Sequence, residues 1–152
     1  MIVKCYIDEH GFRRAEVDSP YEMVGWFFEE NVQGSIYHCK LLFSEIEKVK
    51  AGVESEFSGT GNAYTITITG DKVLLEDEYS EPLITCEIPL FEFEKALTQW
   101  FEFIKVGQEE LLEWVESELK KDDAEIARMR ERRIKRKLME SKKRRARKWL
   151  KG

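Results

Sequence analysis

The residues of this sequence best suited to chemistry are the cations near its end. Thirteen of the 23 residues from Arg130 to Gly152 are Lys or Arg, and only Glu131 and Glu140 oppose them, so the segment carries a net charge of +11. Closely spaced cations bind phosphates because each contact releases a condensed counterion, which gives strong, salt-sensitive and sequence-independent affinity for nucleic acid. Arginine adds bidentate phosphate contacts and stacking. We therefore expect this segment to bind nucleic acid.

The residues expected to make these contacts begin just before the segment and include one aromatic side chain, which can stack on an unpaired base. They are Arg128, Arg130, Arg132, Arg133, Lys135, Arg136, Lys137, Lys142, Lys143, Arg144, Arg145, Arg147, Lys148 and Trp149. Arginine-rich helices fit folded RNA by shape, and no DNA-reading motif accompanies these residues. We therefore favour RNA or a ribonucleoprotein over DNA as the partner.

Three other outcomes for the basic segment stay open. The segment can lie on the acidic part of its own chain, or on that of a second copy, through charge attraction. It can also be a solvated charge run with no partner. An anionic membrane fits least well, because the basic residues surround the whole helix and only Trp149 and Leu150 would insert.

The rest of the chain has the opposite charge. Residues 1–129 hold 12 basic and 28 acidic side chains, a net charge of −16, in a protein whose total is −5. The excess of acidic side chains either confers solubility or creates a negative electrostatic field that attracts a basic protein. The candidate protein-binding residues are Glu29, Glu30, Glu76, Asp77, Glu78 and Glu81. They support an alternative function, an immunity or inhibitor protein whose acidic face neutralises a basic toxin or nuclease.

Catalytic patterns are weak throughout the sequence. His10 and His38 are the only histidines, and neither has the spacing of a metal site. Cys39 follows His38 directly, so the two side chains point about 100° apart on a helix, and Cys39 fits an apolar stripe. The Ser-Gly-Thr-Gly run at residues 58–61 leads into a strand, not a helix, and lacks phosphate-cradling geometry. We expect a non-enzymatic protein with no metal or cofactor.

The remaining composition suggests a cytoplasmic protein. Cys5, Cys39 and Cys86 are three cysteines without CxxC spacing, which predicts free thiols instead of a disulfide framework. No window approaches the roughly 18 apolar residues of a membrane span, and the first residues lack the pattern of a secretion signal.

Five strands are predicted before the basic segment. Residues 2–7 and 12–17 flank a turn-like Asp-Glu-His-Gly and predict a hairpin. Residues 64–69 alternate apolar side chains with threonine, and a Gly-Asp turn joins them to residues 72–77 as a second hairpin. Residues 83–88 follow a Ser-Glu-Pro turn and predict the last strand. We expect these segments to form one five-stranded antiparallel sheet in an α+β fold.

A helix is predicted between the two groups of strands. Ser19 is a suitable N-cap, Pro20 suits the first helical position, and Glu22 completes a capping box. Apolar residues recur at helical spacing up to Lys50, although Gly34 predicts a bend near it. The stripe consists of Val24, Phe28, Val32, Ile36, Cys39, Phe43 and Ile46.

Two more helices are predicted in the rest of the chain. The first begins near Pro89 and ends at Gly107, a suitable C-cap. No glycine or proline then interrupts the chain until Gly152, so the second helix would have up to about 40 residues and extend roughly 60 Å. We therefore expect an acidic α+β domain over 1–107, with two main helices, and a long helical extension with a basic end over 108–152.

Three segments in the middle of the chain carry a family resemblance. SPYEMVGWFFEENV, GNAYTITITGDKVLLE and EIPLFEFEKALTQWFEFI, in this order, resemble the YacL family of small bacterial proteins. The resemblance covers about residues 1–106 and rests on Trp26, Phe27, Glu29 and Glu30 and on the later GDKV hairpin. It implies a bacterial α+β domain and brings no activity or site residue with it. A weaker similarity of plan links the chain to acidic toxin-immunity proteins.

Overall fold

The strands of this α+β protein form two antiparallel sheets. In a computed structural model, the backbone of residues 1–151 and the side chains of residues 1–149 are described. The smaller sheet pairs β1 (Val3–Ile7) with β2 (Arg13–Val17). The larger sheet has the order β3-β4-β5-β6, formed by β3 (Glu56–Thr60), β4 (Tyr64–Thr69), β5 (Lys72–Asp77) and β6 (Ile84–Pro89). The prediction of a single five-stranded sheet is therefore wrong.

The sequence did not indicate β3 because the strand lacks a strand-like pattern. Glu-Phe-Ser-Gly-Thr has one large apolar residue, Phe57, and Gly59 is unfavourable in a strand interior. Its pairing with β4, from Glu56 opposite Thr69 to Thr60 opposite Thr65, forms the strand at the edge of the larger sheet. Tertiary pairing therefore overrides local propensity here.

A side chain from the helical region occupies the open edge of β2. The backbone N–H of Ala15 in β2 donates a hydrogen bond to Glu29 Oε1 at 2.8 Å. In a continuous sheet, an outward-facing N–H of this kind would donate to a neighbouring strand. The carboxylate therefore takes the place of a strand at this edge.

The first helix begins later in the chain than predicted. Helix α1 (Glu22–Phe27) continues into a π-helical turn (Phe28–Val32), and α2 (Ile36–Lys50) follows the predicted break at 33–35. The predicted start at Pro20 is wrong, because Tyr21 is the N-cap of α1 and makes no side-chain cap hydrogen bond. The Ser19 capping box is therefore absent; the side chain of Ser35 caps α2 instead, accepting from the His38 N–H at 3.1 Å.

The later helices follow the predicted order. Helix α3 (Leu90–Ile104) is followed by Gly107, whose φ of 79° lies in the left-handed region that glycine adopts readily. Helix α4 (Glu109–Lys151) contains 43 residues. Gly152, the last residue of the predicted extension, lies outside the described residues.

The core lies between the larger sheet and the helices α1, α2 and α3. Alternating residues of β4, such as Ile66 and Ile68, are buried against these helices, while the threonines between them face the other side. Trp100 is fully buried and stacks on Phe28 with ring centroids 5.8 Å apart. Its indole N–H donates to the Gln33 carbonyl at 2.9 Å, so the ring is both packed and satisfied.

The chain divides into two compact units, Met1–Leu112 and Glu113–Gly152. The first unit contains both sheets and the helices that pack on them. The second consists of helix α4 from Glu113 onward, and every side chain from 121 to 149 is exposed. The chain therefore combines a cored α+β unit with a unit built from one helix.

Candidate nucleic-acid interface

The predicted nucleic-acid-binding residues all lie on the last turns of α4. We call Arg128–Trp149 the basic block; it contains 13 cations and two carboxylates, a net charge of +11. Every one of the fourteen predicted side chains is exposed. At 1.5 Å per residue the block is about 33 Å long. The structure thus presents the cations as one continuous, solvent-accessible rod of positive charge.

The cations of the basic block point in all directions from the helix axis. Successive residues of an α-helix are rotated by about 100°, so the four consecutive cations from Lys142 to Arg145 alone cover most of a turn. A helix charged on all sides can contact phosphates on two strands at once when it lies in a groove. A flat anionic surface would engage only one of its sides.

Internal neutralisation of the basic block is limited. Arg144 lies 3.9 Å from Glu140, and Arg128 Nε donates to the Ala124 carbonyl at 3.4 Å. Several cations instead stand four residues from another cation, which costs an isolated helix about 0.2–0.5 kcal/mol per pair. These pairs are Arg128 with Arg132, Arg132 with Arg136, Arg133 with Lys137, Lys143 with Arg147 and Arg144 with Lys148. A bound polyanion would relieve this repulsion and stabilise the helix.

Trp149 is available for a contact of another kind. Its side chain is 87% exposed, the highest value among the exposed large hydrophobic residues. An exposed indole next to cations can stack on an unpaired base whatever the base is. The side chain of its neighbour Leu150, considered as a membrane-inserting residue, lies outside the described residues.

Glu29, a predicted protein-binding acid, is occupied within its own unit. One carboxylate oxygen accepts from Ala15 N–H, and the other lies 3.5 Å from Arg14 Nη1. Arg14 Nε also donates to Asp8 at 2.9 Å, and hydrogen bonds from the Phe12 N–H and from Arg14 hold the pKa of Asp8 below its usual value. The Glu29 side chain is only 16% exposed. It therefore positions the first hairpin and has little free surface for a partner.

The other predicted acids lie in three places: near Tyr64, near Thr65, and in the turn before β6. Burial raises the pKa of the Tyr64 hydroxyl, a hydrogen bond with Glu30 raises it further, and the charges of Asp77 and Glu29 add to the effect. Asp77 also lies directly opposite Tyr64 in the pairing of β5 with β4. Glu76 on β5 is paired with Thr65 on β4. Glu78 accepts a hydrogen bond from the Thr65 hydroxyl. Glu81 is exposed in the turn before β6.

The histidine and cysteine side chains do not form a reactive group. Burial raises the pKa of Cys39 to about 12, which keeps the thiol protonated at neutral pH. Burial also lowers the pKa of His38, while a hydrogen bond to the Asn31 backbone opposes this shift. His10 is exposed and lies 3.4 Å from Glu9. Within residues 1–151, no group of three or more His, Cys, Asp or Glu residues is arranged to hold a metal ion.

Glu45 is a buried carboxyl that the sequence analysis did not single out. It stands on the buried stripe of α2, three residues after Leu42 and four before Val49. A charged residue at an apolar position of a helical stripe is a detectable signal, because buried carboxyls require a partner. Glu45 lies in the Met1–Leu112 unit and belongs to no part of the basic block.

Comparisons with known proteins leave the chain without an assigned family. No protein-family model matches it, and no curated protein or solved structure gives a significant match. The resemblance to the YacL family therefore stays a prediction. Among the residues that the structure describes, no helix is both long and apolar enough to cross a membrane.

Proposed function

We propose that this protein binds nucleic acid, with RNA or a ribonucleoprotein as the preferred partner, through the basic block of α4. The single observation that carries the proposal is a fully exposed helical block with 13 cations and only two carboxylates. Nucleic acid supplies phosphates on more than one side of a groove, which suits cations that surround the helix. The acidic Met1–Leu112 unit engages a protein or keeps the complex soluble.

The preference for RNA rests on the type and arrangement of the side chains. Guanidinium groups make bidentate phosphate contacts and stack, and arginine-rich segments recognise folded RNA by shape. An exposed Trp149 suits unpaired bases, which RNA loops offer more often than duplex DNA does. The proposed binding is non-enzymatic and requires no metal or cofactor.

The proposal is tested by removing the block. Fluorescence anisotropy with a labelled RNA hairpin would compare the full chain with a chain that ends at Met129, at about 50 and about 200 mM salt. If six or more cations contact phosphates, the affinity of the full chain should fall roughly 10³-fold or more between these concentrations. The shortened chain should bind weakly at both. Equal affinity and equal salt dependence of the two chains would refute the proposal.

Asp77 lies directly opposite Tyr64 on the larger sheet, and Glu30 raises the pKa of the same hydroxyl; these two acids support a second candidate, an inhibitor or immunity protein that neutralises a basic toxin or nuclease. Negative charge gathered at one place steers a basic partner. A neighbouring gene that encodes a toxin would favour this candidate. Co-expression with that toxin should then protect cells, and the double variant Glu30→Gln with Asp77→Asn should protect less. Equal protection by the variant would argue against an acidic recognition face.

A further inference from the structure

A groove on the surface of α4 combines apolar and cationic side chains. Ile126 and Met129 form its apolar part, and they are 47% and 61% exposed. The rest of the groove is lined by Arg130, Arg132, Arg133 and Arg136. Methionine and arginine are enriched where proteins contact one another. The groove therefore suits a protein surface that offers both apolar and acidic side chains.

The residues in and beside this groove have the spacing of a coiled coil. Asp122, Ile126, Met129 and Arg133 follow one another at steps of four, three and four residues. At about 100° per residue, all four side chains lie within about 60° of one another around the helix. Residues with this spacing face the partner helix in a coiled coil. Here the two inner positions are apolar and the two outer positions are charged.

The charged residues are arranged symmetrically about the two apolar ones. The midpoint of the face lies between Ala127 and Arg128. Three acids precede this point, and three arginines follow it at the same distances. The matching pairs are Asp122 with Arg133, Asp123 with Arg132 and Glu125 with Arg130. Two antiparallel copies of this helix bring each acid next to an arginine of the other copy, whereas parallel copies would bring acid next to acid.

Neither the chain itself nor nucleic acid matches this pattern of charge. Among the described residues, none of the six side chains forms a salt bridge, although Lys121 and Glu118 on the same helix do. Helix α4 runs without a break for 43 residues, so its own acidic and basic parts cannot meet. Phosphates would be repelled by the three acids. A second copy supplies an opposite charge for all six.

We propose that α4 pairs with α4 of a second copy in antiparallel orientation, so that Ile126 of each chain packs on Met129 of the other. The three acids of each chain then face the three arginines of the other, and the pairing spans residues 121–134 in both. An interface of this size gives weak, reversible association. The cations from Lys142 to Lys148 stay uncovered, so the pairing goes beyond the proposed nucleic-acid binding and does not replace it.

Sedimentation equilibrium of the full chain without nucleic acid tests the pairing. Because the association is weak, the average mass would be followed from about 5 to about 500 μM protein. It should rise from 18.0 kDa toward twice this value. Raising the salt from about 0.05 to about 0.5 M should weaken the association at least about tenfold, because salt screens exposed charges. A mass that stays at 18.0 kDa, or a dimer that salt does not weaken, would overturn the proposal.

Two charge-reversed chains identify the contacting residues. The acid-reversed chain carries Asp122→Arg, Asp123→Arg and Glu125→Arg, and the arginine-reversed chain carries Arg130→Glu, Arg132→Glu and Arg133→Glu. Each chain alone should stay monomeric, because like charges then face each other. An equimolar mixture of the two should form a heterodimer, which also shows that both chains are folded. Dimers of either chain alone, or no association in the mixture, would overturn the proposed contacts.

A matched control reverses three cations on another side of α4, with the changes Lys121→Glu, Arg128→Glu and Lys135→Glu. This chain has the same net charge as the arginine-reversed chain, but the pairing face is intact. It should dimerise at least about tenfold more tightly than the arginine-reversed chain. Equal association of the two would show that net charge alone, and not the face, controls the pairing. Because nucleic acid is absent from these measurements, their failure would leave the RNA-binding proposal standing.

Discussion

The Met1–Leu112 unit and the basic block obtain their structure from different sources. In the first, side chains from distant parts of the chain are buried together, as Trp100 is against Phe28. In the basic block every described side chain is exposed, and like charges stand at helical spacing. Burial supplies most of the stability of a helix in a protein. The helix of the block therefore depends on local propensity and, in our proposal, on bound phosphates.

Replacing two tryptophans tests this contrast, and one of the replacements has the largest expected effect on stability. Trp100→Ala should lower the free energy of unfolding by about 3–5 kcal/mol, because it leaves a cavity and an unpaired Gln33 carbonyl. The matched change Trp149→Ala should alter it by less than about 0.5 kcal/mol. Urea unfolding followed by circular dichroism measures both. A small effect of Trp100→Ala would contradict the account of the core.

Replacing two glycines of the Met1–Leu112 unit by alanine should have a smaller effect on stability. A methyl group at Gly25 would overlap the carbonyl oxygen of Ala15, so α1 approaches β2 this closely only because position 25 has no side chain. Gly25→Ala should cost about 1–3 kcal/mol of unfolding free energy. At Gly70 an added methyl meets no atom within 4 Å, and Gly70→Ala should cost much less. Thermal or urea unfolding compares them; equal losses would show that the close approach relaxes easily.

Replacing Glu45 gives the smallest expected change in the unfolding free energy. Unlike the previous substitutions, it should stabilise the protein. The folded pKa of Glu45 is raised, so its contribution to stability is fully present below the unfolded pKa and is lost as the pH rises through the folded value. Glu45→Gln should therefore increase the unfolding free energy at pH 7 by up to about 1 kcal/mol. The gain should shrink as the pH falls toward 4.5, the ordinary value for this group.

The control for this pH effect is Glu47→Gln on the same helix. Glu47 is exposed, so its replacement should change the stability little at either pH. Urea unfolding at several pH values measures the difference between the two variants. A Glu45→Gln variant that is less stable than the unmodified chain at pH 7 would contradict the assignment of Glu45 as a destabilising buried carboxylate.

The same contrast explains what the sequence could predict. The stripe from Val24 to Ile46, the Gly-Asp hairpin and the long α4 follow from periodicity and turn residues, which act locally. The edge strand at Glu56–Thr60 depends on pairing with β4, and the Glu29 carboxylate at the edge of the first hairpin reaches back to Ala15. Contacts between distant residues leave no periodic signal.

The basic block and Glu45 differ in the same way. The basic block could be predicted residue by residue, because charge and spacing in one contiguous segment define it. Glu45 is buried because α2 packs against α3 and the larger sheet, and only the structure brings these elements together. A sequence reading could have noted a glutamate on the buried stripe, but not its packing.

The salt dependence of RNA binding tests the central claim most directly. The slope of log affinity against log salt would be measured for the full chain, for a variant with Lys142, Lys143 and Arg145 changed to Gln, and for a control with Lys4, Lys72 and Lys95 changed to Gln. Each phosphate contact contributes about 0.7–0.9 to the slope. We predict that the first variant loses roughly two units of slope and the control loses almost none. Equal slopes for both variants would show that the basic block does not bind RNA.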